Sequence, residues 1–207
     1  MPSTTLSTDE AIQKLVAKSQ SVEIPSGLRT LLEELFSQLQ INSGFPETFW
    51  QSYQVAFKYL NWITRLPWNH STTDILDINH AQEKLNENHY GLDTAKERIL
   101  EFISVLALQK LRHPDQKPHA PVLLFTGLVG TGKTTIAKSI AEALGRKFVR
   151  IPFGGLGDPL YLRGRSRQYP ESEPGAIIKG LAVAQSNNPV ILLDEIDRVA
   201  DDSLNTI

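Results

Sequence analysis

The sequence predicts an α/β fold, in which an all-helical region precedes a parallel sheet flanked by helices. Two apolar runs, at residues 121–125 and 189–193, have the length and continuity of buried parallel strands. A helical pattern of apolar residues follows the first run, and alternation of strands and helices is typical of parallel sheets. We therefore predict a helical region over residues 1–111 and an α/β core over residues 112–207.

The helical region contains three strong amphipathic patterns. Apolar residues recur at intervals of three and four over 28–39, 49–63 and 92–111. Turn-forming residues separate these patterns, and a proline-broken linker at 112–119 leads into the core. In the core we expect three parallel strands and two helices. The strands are predicted near 121–126, 147–151 and 190–194, and the helices near 132–144 and 174–187.

The segment between the first apolar run and its helix has the sequence pattern of a phosphate-binding loop. Glycine allows backbone N–H groups at a helix N-terminus to approach phosphate oxygens closely. Lys133 would reach the β- and γ-phosphates, and the Thr134 hydroxyl would be a Mg²⁺ ligand. A tight turn capping an ordinary helix is the less favoured alternative. The predicted nucleotide-binding residues of this loop are Gly127, Leu128, Val129, Gly130, Thr131, Gly132, Lys133, Thr134 and Thr135.

The second apolar run ends in two acidic residues, Asp194 and Glu195. Ligands bind at the carboxyl ends of parallel strands, and a buried carboxylate needs a metal or a charged partner. We predict that Asp194 is a Mg²⁺ ligand and that Glu195 is the base that orients and deprotonates water. Acids that merely leave the strand into solvent are the alternative, and the preceding phosphate-binding loop disfavours it.

Composition limits the class of protein. The chain has 207 residues, 41% hydrophobic positions, a net charge of −2 and no cysteine. This charge argues against nucleic acid as the main partner, and the lack of cysteine excludes disulfides and thiol catalysis. The sequence shows no window of membrane-spanning length and no secretory leader. We expect a cytoplasmic protein without membrane association.

Six segments occur in a distinctive order and spacing: Tyr59-Leu60-Asn61-Trp62, Leu66-Pro67-Trp68, His89-Tyr90-Gly91-Leu92, residues 96–101, residues 145–151 and Leu192-Leu193-Asp194-Glu195-Ile196-Asp197. Together they resemble the ATPase module of Lon, the family of AAA+ ATP-dependent proteases. The resemblance spans roughly residues 55–200 and implies a P-loop NTPase (AAA+) core that uses ATP and Mg²⁺. It also implies a hexameric ring, formed with itself or with full-length Lon-like subunits, that pulls unfolded proteins toward a peptidase.

Two further sites follow from this resemblance. His89, Tyr90 and Gly91 would lie beside the adenine, although from the residues alone this tripeptide is only a helix-initiating turn. Tyr169 would be the aromatic residue of a pore loop that grips substrate. Pro170 and Glu171 depart from the family pattern, so a divergent pore loop and a solvated surface loop stay equal alternatives.

The sequence also departs from the family after the second acidic residue. Only 12 residues follow Glu195, whereas a Lon-like sheet has two more strands, one of them between the phosphate-loop strand and the Asp194 strand. We therefore expect an incomplete three-strand sheet with exposed apolar surface and weak or no hydrolysis by the isolated chain. The first functional hypothesis is the ATPase module of a Lon-like protease, without its peptidase. The alternative is a stand-alone nucleotide-binding or assembly-modulating protein without turnover.

Overall fold

The computed structural model describes residues 7–114, 122–154, 160–166 and 172–198. Helices and two short strands make up these parts of the chain. In chain order they are α1 (Thr8–Gln20), α2 (Ser26–Ile41), a 3-10 turn (Asn42–Gly44), α3 (Pro46–Arg65), α4 (Ile78–Asn88), α5 (Asp93–Arg112), α6 (Lys133–Ala143), β1 (Phe148–Pro152), α7 (Leu160–Arg163), α8 (Ala176–Ala184), β2 (Val190–Asp194) and a 3-10 turn (Ile196–Arg198).

The chain divides into two compact units. One comprises Met1–His70 with Asp158–Asn187, and the other comprises Ser71–Gly157 with Asn188–Ile207. The sequence predicts a different boundary, between a helical region that ends at residue 111 and a core that begins at residue 112. That boundary stays a prediction.

The first unit is helical. Ser7 and Glu10 form a capping box at the start of α1, in which each side chain accepts a hydrogen bond from the other residue's backbone N–H. The apolar stripes of α1, α2 and α3 face one another, as amphipathic helices require for burial. Their common core includes the fully buried side chains of Leu15, Leu32, Leu39, Phe49 and Leu60.

The second unit contains the α/β part of the chain. Strands β1 and β2 pair in parallel, and the register places Phe148 opposite Val190 and Pro152 opposite Asp194. Helix α4 begins after Asp77, whose carboxylate accepts from the backbone N–H groups of Asn79 and His80. The core between α4, α5 and α6 contains Leu85, Ile99, Ile103, Leu106 and Leu144. The predicted α/β class, the two later strands and the helix near 132–144 are confirmed. The helix predicted near 174–187 is confirmed as α8, which belongs to the first unit.

The prediction of a third strand near 121–126 is wrong for the described residues, because 122–128 is not assigned to a strand. The segment keeps the alternation of an extended chain: Leu123 and Phe125 pack on the core of the unit, whereas Val122 and Leu124 are 94% and 71% exposed. A strand exists only when its backbone N–H and C=O groups pair with a neighbour. No described segment pairs with 122–126. Apolar side chains are therefore exposed along this segment, as expected.

A partly buried ion pair between Arg146 and Asp74 links the turn after α6 to the segment before α4. Arg146 Nε and Nη2 donate to the two carboxylate oxygens of Asp74 at 2.7 and 2.6 Å. The two side chains are only 12% and 22% exposed, and Asn188 Nδ2 donates to the same carboxylate at 3.2 Å. Bidentate, partly buried ion pairs of this kind are stronger than ion pairs on the surface.

Asp74→Asn is expected to lower the free energy of unfolding by about 2 kcal/mol, because the Arg146 guanidinium keeps its burial but loses its counter-charge. Urea denaturation followed by circular dichroism measures the change. The matched control is Glu87→Gln, which removes the partner of Lys84 in an exposed ion pair and should leave stability unchanged. Equal stability of Asp74→Asn and the unsubstituted chain would show that the pair contributes nothing.

Candidate nucleotide-binding site

Glycine residues give the loop before α6 its backbone conformation. Gly130 and Gly132 have φ values of 82° and 89°, in a region that residues with a Cβ rarely adopt. Gly132 is the N-cap residue of α6, and glycine has no side chain that could cap the helix. The first N–H groups of a helix need partners from outside the helix, and an anion is a suitable partner. The geometry of the loop therefore fits the predicted binding of phosphate.

The Lys133 side chain lies across this loop. Its Nζ donates to the backbone carbonyl oxygens of Gly127 and Leu128, at 2.9 and 2.7 Å. The positive charge is thus held at the start of the loop, although Lys133 itself belongs to the first turn of α6. Both acceptors are neutral carbonyls, so phosphate oxygens could replace them with stronger, charge-assisted hydrogen bonds.

The two predicted magnesium ligands lie together. The Thr134 hydroxyl donates to Asp194 Oδ2 at 3.2 Å, although 60 positions separate the two residues in the chain. Asp194 is the last residue of β2, and its side chain is 12% exposed. A carboxylate and a hydroxyl are oxygen donors of the kind that Mg²⁺ prefers. The residues present therefore fit a magnesium site completed by phosphate oxygens and water.

Sequence reasoning missed a third residue at this site, Arg150. Its Nε donates to the same Asp194 Oδ2, at 2.7 Å. Arg150 is in the middle of β1, and the parallel register sets it opposite Leu192, two residues before the acid. A basic residue inside a predicted strand of the same parallel sheet was the available signal. A cation bound through Asp194 Oδ2 would share this oxygen with the guanidinium.

Glu195 follows directly after β2 and has a φ of 56°, an uncommon value for a residue with a side chain. Its carboxylate reaches the end of β1, where a Cβ placed on Gly154 would lie 2.2 Å from Glu195 Oε2. Arg198 Nη1 lies 3.5 Å from the same oxygen. Glycine at 154 thus leaves the space that the Glu195 carboxylate occupies. The sequence did not reveal this contact.

The predicted adenine-binding tripeptide forms the turn between α4 and α5. His89 Nε2 is hydrogen-bonded with Ser139 Oγ of α6 at 3.0 Å, and Tyr90 is fully exposed. Gly91 and the following Leu92 both have positive φ, at 67° and 58°. The tripeptide is therefore a helix-initiating turn, as its residues alone indicated. The same turn also contacts the helix that follows the phosphate-binding loop.

The predicted pore-loop residue Tyr169 lies outside the described residues, with Pro170 and Glu171. The chain on one side of it is closely packed, since a Cβ on Gly175 would lie 1.7 Å from the Leu162 carbonyl oxygen. Glu173 forms an ion pair with Lys179, and the hydrogen bond from Lys179 lowers the pKa of the Glu173 carboxyl. The Glu173 charge is thus compensated within its own unit.

Two further observations concern metal binding and membrane-spanning helices. Within the described residues, no three or more histidine, cysteine or acidic side chains are grouped so that they could hold a metal by themselves. A cation at this site would therefore depend on Thr134, Asp194 and oxygens from its ligand. None of the described helices is long and apolar enough to cross a membrane.

Comparison with known proteins identifies the family. Residues 123–206 match the model of the AAA family, "ATPase family associated with various cellular activities". The Lon protease of Dictyoglomus thermophilum is 53% identical over 191 residues, which are 92% of this chain and 23% of that protein. The Lon protease of Syntrophus aciditrophicus is 54% identical over 150 residues, or 72% of this chain and 18% of the relative. The chain contains a Lon-family AAA module.

The Lon resemblance drawn from the sequence is thereby confirmed, and so is the α/β class of the ATPase core. The Lon protease of Elusimicrobium minutum extends the likeness into the helical region, with 44% identity over 92% of this chain. The chain spans about a fifth of the length of the Lon relatives it matches, since that alignment covers 22% of the Elusimicrobium protein. The similarity therefore concerns the AAA module and the segment before it.

Proposed function

We propose that this chain binds Mg-ATP and hydrolyses it as the ATPase module of a Lon-like protease. The observation that carries the proposal is the hydrogen bond between Thr134 and Asp194. It joins the helix that follows the phosphate-binding loop to the acidic end of the neighbouring strand, the two parts that phosphoryl-transfer sites of this class combine. Lys133 supplies a positive charge on the same loop.

Each residue has a proposed task. Lys133 neutralises and orients the β- and γ-phosphates, and the loop N–H groups of residues 127–135 hold their oxygens. Thr134 and Asp194 hold a magnesium ion, whose chemistry is to neutralise charge on the phosphate oxygens. Glu195 orients the attacking water and accepts its proton. His89, Tyr90 and Gly91 contact the adenine.

The finer part of the proposal concerns the assembly. ATP turnover is coupled to the unfolding and degradation of protein substrates, in a hexameric ring of these modules or of full-length Lon-like subunits, in the cytoplasm. Tyr169 contacts the substrate chain in the pore. Support comes from the relatives, each of which bears the name Lon protease. They do not favour a stand-alone nucleotide-binding protein without turnover.

The magnesium part of this proposal is tested with Thr134→Val, which keeps the shape of the side chain and removes the hydroxyl. Calorimetric titration should show that the variant binds Mg-ATP about tenfold more weakly than the unsubstituted chain, because one oxygen ligand is lost. In excess chelator, without magnesium, the two proteins should bind ATP equally.

Thr30→Val is the matched control for Thr134→Val, because the exposed Thr30 hydroxyl bonds only within its own helix. It should not change either affinity. If Thr134→Val weakened ATP binding equally with and without magnesium, Thr134 would not be a magnesium ligand. If the unsubstituted chain bound no ATP under either condition, the proposed function itself would be wrong.

A further inference from the structure

Lys96 is a buried cation to which the proposed mechanism gives no task. The residue lies in the first turn of α5 and is only 9% exposed. Its Nζ donates to the backbone carbonyl oxygen of His89 at 2.7 Å and to Asn86 Oδ1 at 2.9 Å. Both acceptors are neutral, and no ion pair of Lys96 is found among the described residues. Burying an ammonium group costs free energy that these two hydrogen bonds offset.

The acceptor carbonyl belongs to the turn that carries the proposed adenine contacts. This turn needs support, because Gly91 and Leu92 are consecutive residues with positive φ and Leu92 has a side chain that disfavours this conformation. Lys96 holds one side of the turn through the His89 backbone. Ser139 of α6 holds the other side through the His89 ring, at 3.0 Å. The turn is thus fixed at two points.

Both supports act at one residue, and the next residue is free to meet a ligand. Tyr90 is fully exposed, an unusual state for an aromatic ring on an otherwise fixed turn. Ser139 is six residues after Lys133 on the same helix, about 9 Å along its axis at 1.5 Å per residue. A distance of this order separates the base of an extended nucleotide from its β-phosphate. The turn is therefore placed to meet the base of a nucleotide whose phosphates lie on the loop.

We propose that Lys96 is a positioning residue for adenine recognition: its buried ammonium holds the His89 carbonyl and so fixes the turn that presents Tyr90 to the base. Lys96 itself contacts no nucleotide. This inference rests on the proposed function. It assigns to Lys96 an effect on affinity for the base and none on affinity for the phosphates. Lys133, in contrast, acts on the phosphates.

The test is Lys96→Met, which keeps the long apolar stem of the side chain and removes the charge and the donors. Two ligands are titrated calorimetrically into the full 207-residue chain, ATP and inorganic triphosphate, both with magnesium. Affinity for ATP should fall about tenfold, because the turn is no longer held in one conformation. Affinity for triphosphate should stay within about twofold, because the loop before α6 is unchanged. Loss of ATP affinity alone supports the proposal.

Additional variants keep the test decisive. Lys110→Met is the matched control, because Lys110 is an exposed residue of the same helix whose Nζ donates to the Pro114 carbonyl. It should leave both affinities unchanged. Ser139→Ala removes the second support without removing a charge, and should also weaken ATP selectively. If Lys96→Met melts without cooperativity, Lys96→Gln replaces it, because that variant also removes the charge and the reach to the His89 carbonyl but keeps a polar side chain. The same selective loss of ATP affinity is expected.

Two results would overturn the inference. In the first, the substituted chain binds ATP as tightly as the unsubstituted one. In the second, its affinities for ATP and for triphosphate fall equally, which would mean that Lys96 stabilises the whole unit. Failure of the proposed function would be recognised differently, because the unsubstituted chain would then bind neither ligand. The inference about Lys96 would fall with it.

Discussion

Lys133→Ala is expected to weaken the binding of Mg-ATP about 100-fold. Lys133 would donate charge-assisted hydrogen bonds to phosphate oxygens, and such bonds contribute about 1.5–3 kcal/mol each. A loss of about 2.7 kcal/mol corresponds to two factors of ten in affinity. Inorganic triphosphate should lose affinity to the same extent, because the interaction is with phosphate and not with the base. Calorimetric titration of both ligands measures the effect.

The folded state should tolerate this substitution, since Lys133 Nζ bonds only to loop carbonyls in an exposed setting. The melting temperature is therefore expected to be unchanged. Lys138→Ala is the matched control: Lys138 lies on the same helix, is exposed, and has its ammonium 3.7 Å from Glu142. The Lys138→Ala variant should bind Mg-ATP as tightly as the unsubstituted chain. Equal loss in the two variants would mean that general positive charge, and not the position of Lys133, attracts the nucleotide.

Glu195→Gln is expected to lower the rate of ATP hydrolysis by about 10² to 10⁴, the range typical of a lost general base. The amide keeps the shape of the side chain but cannot accept the proton of the attacking water. Affinity for Mg-ATP should stay within about twofold, because Glu195 is assigned to water and not to phosphate. The rate is measured by single-turnover assays in the complete Lon-like assembly, because the isolated chain is expected to hydrolyse ATP weakly or not at all.

The contact between Glu195 and Gly154 provides a second, structural test of this assignment. Gly154→Ala would place a Cβ 2.2 Å from the present position of Glu195 Oε2. The carboxylate is the far end of a flexible side chain, so it can move with little loss of stability. Hydrolysis should then fall about tenfold, with unchanged affinity, because misplacement of a catalytic group lowers the rate. Gly27→Ala is the control, since no atom lies within 4 Å of its added Cβ.

The assignment of Glu195 as the base has one decisive outcome against it. Unchanged hydrolysis in Glu195→Gln would show that Glu195 is not part of the mechanism.

Local patterns in the sequence predicted most of the second unit. The phosphate-binding loop could be recognised because its glycines, Lys133 and Thr134 are neighbours in the chain. Helices α5 and α6 followed from the periodicity of apolar residues, and strand β2 followed from a continuous apolar run. The strand expected near 121–126 shows the limit of this reasoning. Its residues are those of a strand, but pairing depends on a partner elsewhere in the chain, which local sequence does not specify.

The sequence by itself determined the family, the α/β class and the residues proposed to meet phosphate and magnesium, because those signals are local or lie in ordered motifs. The tertiary structure alone decided which residues support them. Arg150 reaches Asp194 across 44 positions, and Gly154 makes room for Glu195. Lys96 holds the His89 carbonyl. Such contacts depend on which distant segments pair and on side-chain direction after folding, and the period or spacing of residues along the chain specifies neither.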